Sequence, residues 1–291
     1  VDIEQLIDEV DALAPRAAIA RETARLRRDE IDGSLAIVGT PLARGEVLAL
    51  IDRGLALGGH PLEAYLIGRS LAEAAAWVWS QRPYVRDDRR PLVTVEEIRR
   101  LHTLASGGQP KAQAGMWRRT VAPQQHHVVS PPPWAVPFQV AGFADRFRLR
   151  PERGVLAHWL ADLLARFARV RPFAAGNGRA GRLTASLVLR RLGAPPMAIA
   201  RERAGAYTAA IVAGEAGDLA PLVGIVEEAL GESCRRTIAA GGDDPLVPLR
   251  SLAGDGYQAL IKAAQRGRLR TVTRANRVYT TAGWIDAYRN R

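Results

Sequence analysis

Residues 171–182, RPFAAGNGRAGR, lie between two apolar runs of helical period, 155–170 and 179–192, and this arrangement constrains the chain more than any other. In the first run Leu156, Leu160, Leu163, Leu164 and Phe167 recur at the intervals of one helix face. A Gly-Asn-Gly turn then leads into Arg179, which opens the second run. Backbone N–H groups of a glycine-rich turn and of a helix start converge on one point, and that is the layout of an anion site.

The composition suits a mainly α chain. Ala, Leu and Arg dominate the 291 residues, and 47% hydrophobic content is enough for a substantial core. A single cysteine, Cys234, excludes an intrachain disulfide and a cysteine-based metal cluster, and suits a reducing, cytoplasmic setting. No stretch reaches the roughly 20 apolar residues of a membrane span. The opening VDIEQLIDEV is acidic and amphipathic, unlike a secretory leader. The net charge of +11 points to an anionic partner, and its distribution is informative: residues 247–291 hold nine basic side chains against two acidic ones.

Along the chain, residues 2–30 read as one helix or two, interrupted at Pro15. Thr40-Pro41 reads as a helix start, with Thr as N-cap and Pro at the first position. Helices follow at about 62–81 and 94–106, the latter opened by a capping box at Thr94–Glu97. Residues 107–138 read as loop or a short hairpin. Later helices are expected at 203–213 and 219–239, before the linker composition of Gly241-Gly242-Asp243-Asp244-Pro245. The expected division is an N-terminal helical region 1–95, a core 96–236, a linker 237–247 and a small module 248–291.

Segment 171–182 resembles the signature of the Fic family, HPFx(D/E)GNGRxxR, whose members mostly transfer a nucleotide monophosphate onto protein hydroxyls. Seven of its nine fixed positions are present: Pro172, Phe173, Gly176, Asn177, Gly178, Arg179 and Arg182. The resemblance extends to a GxxR element at Gly115–Arg118, to 126–138 in the place of a flap that holds the target segment, and to Leu192–Pro196 and Arg203…Tyr207…Ala210. It implies a Fic-fold helical core with a short β-hairpin flap. It also implies phosphate binding by Gly176, Asn177, Gly178, Arg179 and Arg182, in keeping with backbone donors beside guanidinium forks.

The two departures fall on the chemistry. Arg171 replaces the family's general-base histidine, and a guanidinium has no acceptor for a proton. Ala175 replaces the acidic metal ligand and offers none, so bound magnesium is not expected and no cofactor is required. His126 and His127 in the flap are weak substitutes as base; His158 is expected to be a packing or surface residue. Three readings stay open: binding of ATP, another nucleotide or a phosphorylated small molecule without chemistry; a metal-independent transfer or elimination; or a vestigial site. The first leads.

Many Fic proteins carry an inhibitory (S/T)xxxE(G/N) helix whose glutamate pairs with the last arginine of the motif. The matching segment is taken as 28–33, with Asp32 pairing Arg182 and Glu30 as the fallback. Residues 248–291 resemble the small winged helix-turn-helix of excisionases and MerR-type regulators. By that resemblance Gln258, Lys262 and Gln265 face bases, while Arg268, Arg270, Arg274 and Arg277 face phosphates. The alternative there is a basic tail that packs on the core or binds a protein. The expected molecule is a regulator that binds a phosphate-bearing ligand and DNA or another partner, with ordinary AMP transfer lost or impaired. Further expectations are a protein target at 126–138, a homodimer and no membrane partner; the rival is a non-standard, metal-independent Fic-type transferase or lyase.

Overall fold

The computed structural model describes residues 2–13, 16–84, 89–106, 113–123, 128–148, 150–152, 154–242, 244–274 and 276–290. Helices α1 (Ile3–Asp11), α2 (Ala17–Val38), α3 (Arg44–Arg53), α4 (Leu62–Ser80) and α5 (Val95–Ala105) come first. Then follow α6 (Val136–Arg146), α7 (Leu156–Val170), α8 (Asn177–Leu192), α9 (Ala204–Ala216) and α10 (Ala220–Gly241). The chain ends with β1 (Val247–Pro248), α11 (Leu249–Ala253), α12 (Tyr257–Gln265), β2 (Val272–Arg274), β3 (Arg277–Thr280) and α13 (Ala282–Arg289). The mainly α expectation holds.

Helix α8 is the central element. Every residue from Arg179 to Leu189 is buried, and α2, α4, α5 and α7 pack around it. Its neighbour α7 buries the Leu156, Leu160, Leu163, Leu164 and Phe167 face read from the sequence. Gly181 lets the two helices close, since a Cβ there would stand 3.1 Å from the Phe167 ring. One apolar cluster runs from Ile3 to Cys234, so the N-terminal helices share a core with the motif helices.

Three local expectations need correction. Thr40-Pro41 does not start a helix: Gly39, at φ 78°, closes α2, the Thr40 hydroxyl donates to the Leu35 carbonyl, and α3 begins only at Arg44. Helix α2 does not end at residue 30, the bound read from the sequence, but runs through Gly33 to Val38. Glycine is required there by packing, because a Cβ would lie 1.8 Å from the Ile199 carbonyl oxygen. Of the expected hairpin flap, the described residues 128–138 keep one bridge residue, Val128, and then leave extended structure; Pro133–Ala135 is a 3-10 turn and α6 starts at Val136. Pro131, Pro132, Pro133 and Pro137 lack the N–H that a ladder needs.

Helix α10 extends to Gly241, into the segment expected as linker. Beyond it the last residues form a second, small cluster of Leu249, Ala253, Leu260, Ala263, Leu269 and Ile285, flanked by Tyr257, Ile261, Val278, Trp284 and Tyr288. The sheet order is β1-β3-β2, antiparallel throughout, with Val272 opposite Tyr279. Asn276 turns the hairpin at φ 59°, and the Thr281 hydroxyl caps α13 by accepting from the Trp284 N–H. This module is tied to the N-terminus: Leu13 bridges Pro245, Arg16 pairs with Asp244 at 2.7 Å, and Arg274 pairs with Asp11 at 3.0 Å.

Candidate functional site

The segment between α7 and α8 is a loop held from behind. Arg171 ends α7 in the left-handed region at φ 45°, a conformation that a non-glycine residue adopts only when its surroundings impose it. Arg118 imposes it. Its Nε donates to the Arg171 carbonyl at 2.7 Å and its Nη2 to the Val170 carbonyl at 3.2 Å. Its Nη1 reaches Thr120, and its backbone N–H reaches Pro172. A buried cation thus meets the carbonyl end of α7, where the helix dipole favours it, and fastens segment 118–131 to the loop.

Phe173 anchors the middle of the loop, its ring stacked on His102 at 3.7 Å and on Trp117 at 5.1 Å. His102 is the functional neighbour that sequence reading missed. Its Nδ1 accepts from the Gly115 N–H, which leaves the proton on Nε2 to be donated to the Ala175 carbonyl at 2.9 Å. Burial lowers its pKa to about 4, so the ring is neutral near pH 7. No spacing rule links residue 102 to 175; only the packing of α5 on α8 joins them.

Asn177 does not reach outward. Its Oδ1 accepts from the Phe173 N–H at 2.8 Å and its Nδ2 donates to the Phe173 carbonyl at 2.9 Å, closing the loop on itself. Gly176 takes φ 74°, where a Cβ would approach Arg179 and His102. Arg179 turns into the core and donates to the Ala105 carbonyl at 2.8 Å. Arg182 lies under the cleft: its Nε donates to the Ser34 hydroxyl at 2.9 Å, and its guanidinium stands over the Tyr207 ring at 5.7 Å. Burial raises the Tyr207 phenol pKa, so the hydroxyl stays protonated.

Above the loop opens a cleft of about 470 Å³, a size that suits a small-molecule site. Its floor is the first turn of α8, with Asn177, Gly178, Gly181 and Arg182. One wall is segment 118–123, the other is α9 from Tyr207 to Glu215, and Ile37 closes one end. Arg171 spans the walls: Nη1 donates to the Pro123 carbonyl at 2.6 Å and Nη2 to Glu215 at 3.3 Å. Arg118, Arg171 and Arg182 give the lining three guanidiniums, and Glu215 is its one carboxylate among the described residues.

The structure therefore sorts the expected site residues. Arg171, Asn177, Gly178 and Arg182 line the cleft, whereas Arg179 stabilises the core from behind. His126 and His127 lie outside the described residues, and His158 is exposed on α7. The inhibitory pairing is overturned. Asp32 is buried against Arg201, at 2.5 Å, and Arg44, while Glu30 bonds Ser186 and the Trp79 indole. Neither carboxylate pairs with Arg182, and the α2 residue that bonds Arg182 is Ser34. The (S/T)xxxE(G/N) pattern accordingly fits Ser34-Leu-Ala-Ile-Val38-Gly39, with Val38 in place of the glutamate. The signal was present in the sequence, six residues beyond the chosen segment.

In the C-terminal module Gln258, Lys262, Gln265, Arg268, Arg270 and Arg277 are exposed. Arg270 lies over the Trp284 ring at 4.4 Å, and Arg274 is engaged by Asp11 instead of standing clear of the wing. Among the described residues, no helix is long and apolar enough to cross a membrane, and no three His, Cys, Asp or Glu side chains group as a metal site.

Residues 92–189 match the model of the Fic/DOC family, so the chain carries a Fic/DOC family domain. It is 23% identical over 278 residues to the protein adenylyltransferase fic-1 of Caenorhabditis elegans, a match covering 90% of this chain and 53% of that protein. The chain thus spans about half the length of the curated relatives it matches. Among solved structures, a Fic domain containing signaling protein from Bacteroides thetaiotaomicron superposes with a TM-score of 0.69 at 21% identity, covering 83% of this chain and 97% of the other. A Fic family protein from Desulfovibrio desulfuricans covers 97% of this chain and 96% of its own, with a TM-score of 0.58 at 23% identity.

Proposed function

We propose that the cleft binds a nucleotide or another phosphate-bearing small molecule, without ordinary magnesium-dependent AMP transfer. The observation that carries this reading is the cleft floor. The first turn of α8 presents its leading N–H groups beside Arg182, and residue 175, next to that turn, has no carboxylate to hold a metal. The residues at the cleft floor do not fit a magnesium ion on the phosphates. Binding of the anion draws on the N-terminal end of the α8 dipole and on guanidiniums already fixed by Ser34 and Glu215, so little ordering is needed. A panel of nucleotides with and without magnesium, read by calorimetry or thermal shift, tests this. Magnesium-independent binding is expected, and strictly magnesium-dependent binding would contradict it.

One observation favours a second reading, a metal-independent enzyme: Glu215 brings an acceptor carboxylate to the cleft wall, held by the arginine that replaced the family histidine. Turnover of a nucleotide-linked substrate, abolished by changing Arg171, would establish that reading over simple binding. The exposed Val129, Trp134 and Phe138 support a protein target along 126–138. The order of elements from β1 to α13, with exposed Gln258, Lys262 and Gln265 on α12 and cations on the hairpin, supports DNA as partner of the C-terminal module. DNA affinity that falls steeply with salt is expected; absence of binding at low salt would rule that partner out.

A further inference from the structure

Helices α2 and α8 meet along a ladder of polar rungs. The inner rung is Ser34 with Arg182 beneath the cleft. One turn outward, the Ser186 hydroxyl donates to Glu30, whose second oxygen accepts from the Trp79 indole N–H at 3.0 Å. At the outer end two cations stand over one ring. The guanidiniums of Arg27 and Arg190 stand 5.1 Å and 5.7 Å from the centroid of Trp79, which is itself buried.

This outer rung is unbalanced. Arg190 donates from Nε to the Gln81 carbonyl, but the buried Nε of Arg27 has no hydrogen-bond partner among the described residues. The nearby carboxylate is Glu30, which is committed to Ser186 and Trp79, and burial raises its pKa towards the neutral form. Burial and the charge of Arg27 both hold Arg190 below its ordinary basicity. Two like charges held half-buried on one indole repel, and an anion that bridges them removes that cost. A guanidinium held over a ring can still offer its Nη groups to a tetrahedral oxyanion.

We propose that Arg27 and Arg190, held over the Trp79 ring, form a second anion site that takes the phosphate group of a small phosphate-bearing compound. It lies two helical turns from Ser34 on α2 and from Arg182 on α8, about 11 Å along either axis, and is separate from the cleft.

The test uses the full chain melted in inorganic phosphate and in chloride at matched ionic strength. The wild type gains about 2–4 °C once phosphate exceeds its dissociation constant about fivefold. Arg27→Gln and Arg190→Gln each lose the same part of that gain, and the double variant loses no more than either, because one anion is shared. In dilute phosphate-free buffer either glutamine variant melts at or above the wild type, since the repulsion is gone. An Arg182→Lys variant, which alters the cleft, keeps this part of the gain, so failure of the cleft reading and of this one are told apart. Single variants that keep the whole gain, or losses that simply add, would overturn the site. A larger shift with a phosphodiester oligonucleotide at equal phosphate concentration would overturn the assignment to a small compound.

Discussion

Arg118 and His102 show how a site can depend on residues that hold its loop in place from behind. Arg118 satisfies carbonyls at 120, 170 and 171 with one buried fork. Replacing it with alanine leaves those acceptors unpaired, and a loss of about 3 kcal/mol or more is expected in urea denaturation, with poorer nucleotide binding. For His102 the sign of the pH effect follows from its lowered pKa. The unfolded chain binds the proton below about pH 6.5, whereas the folded ring resists it down to about 4. Stability is therefore full above 6.5 and declines as pH falls through that window, on the order of 3 kcal/mol in all. Urea midpoints at pH 7 and pH 4.5 should differ less in His102→Gln than in the wild type. Arg118 was visible in the sequence as part of a motif, though not its role. His102 was not visible, because a lone histidine on an amphipathic helix carries no local mark of what lies across from it.

At the scale of elements, α2 carries the clearest tests. Gly33→Ala would raise intrinsic helix propensity by about 1 kcal/mol, yet it drives a methyl into the Ile199 carbonyl at 1.8 Å. The packing cost wins, and a net loss of about 2 kcal/mol or more is expected in thermal or urea unfolding. Gly224→Ala in α10, with nothing within 4 Å of the added methyl, should be neutral or stabilising by up to about 1 kcal/mol. Val38→Glu restores a carboxylate to the position the family pattern reserves for one, at the exposed end of α2. Weaker nucleotide binding at unchanged melting temperature is expected; equal affinity would remove α2 from any account of inhibition. Helix periodicity made α4, α5, α7, α8, α9 and α10 legible, and Thr94 marked the cap of α5. The start of α3 and the whole of α6 were not legible. A Thr-Pro pair serves a helix end as well as a start, and α6 follows a proline-rich segment that locally reads as loop.

Across the whole molecule, the C-terminal module and the N-terminal helices are joined by two ion pairs at the surface, the half-buried Arg16–Asp244 and Arg274–Asp11, whose aspartate is exposed. Such pairs contribute little to stability, so Asp11→Ala should leave the melting temperature almost unchanged while freeing Arg274. If the module binds DNA, that variant should bind it more tightly at low salt. Arg268→Ala should instead reduce the slope of log affinity against log salt by about one. Gel-shift titrations at several salt concentrations read both effects.

By itself the sequence determined the resemblance of the motif, the two helices that carry it, the basic charge of the C-terminal residues, and the residue types, Arg and Ala, that stand at 171 and 175. Those follow from periodicity, turn chemistry and residue type, which are local properties. Tertiary structure decided where each charge goes. Arg179 turned inward to Ala105, Arg171 crossed the cleft to Glu215, Asp32 left Arg182 for Arg201, and Ser34 took its place. A long side chain on a buried helix must find a partner wherever packing offers one, and that partner lies many residues away in sequence. The segment 171–182 names the kind of site; the helices around it choose which of its arginines a ligand can meet.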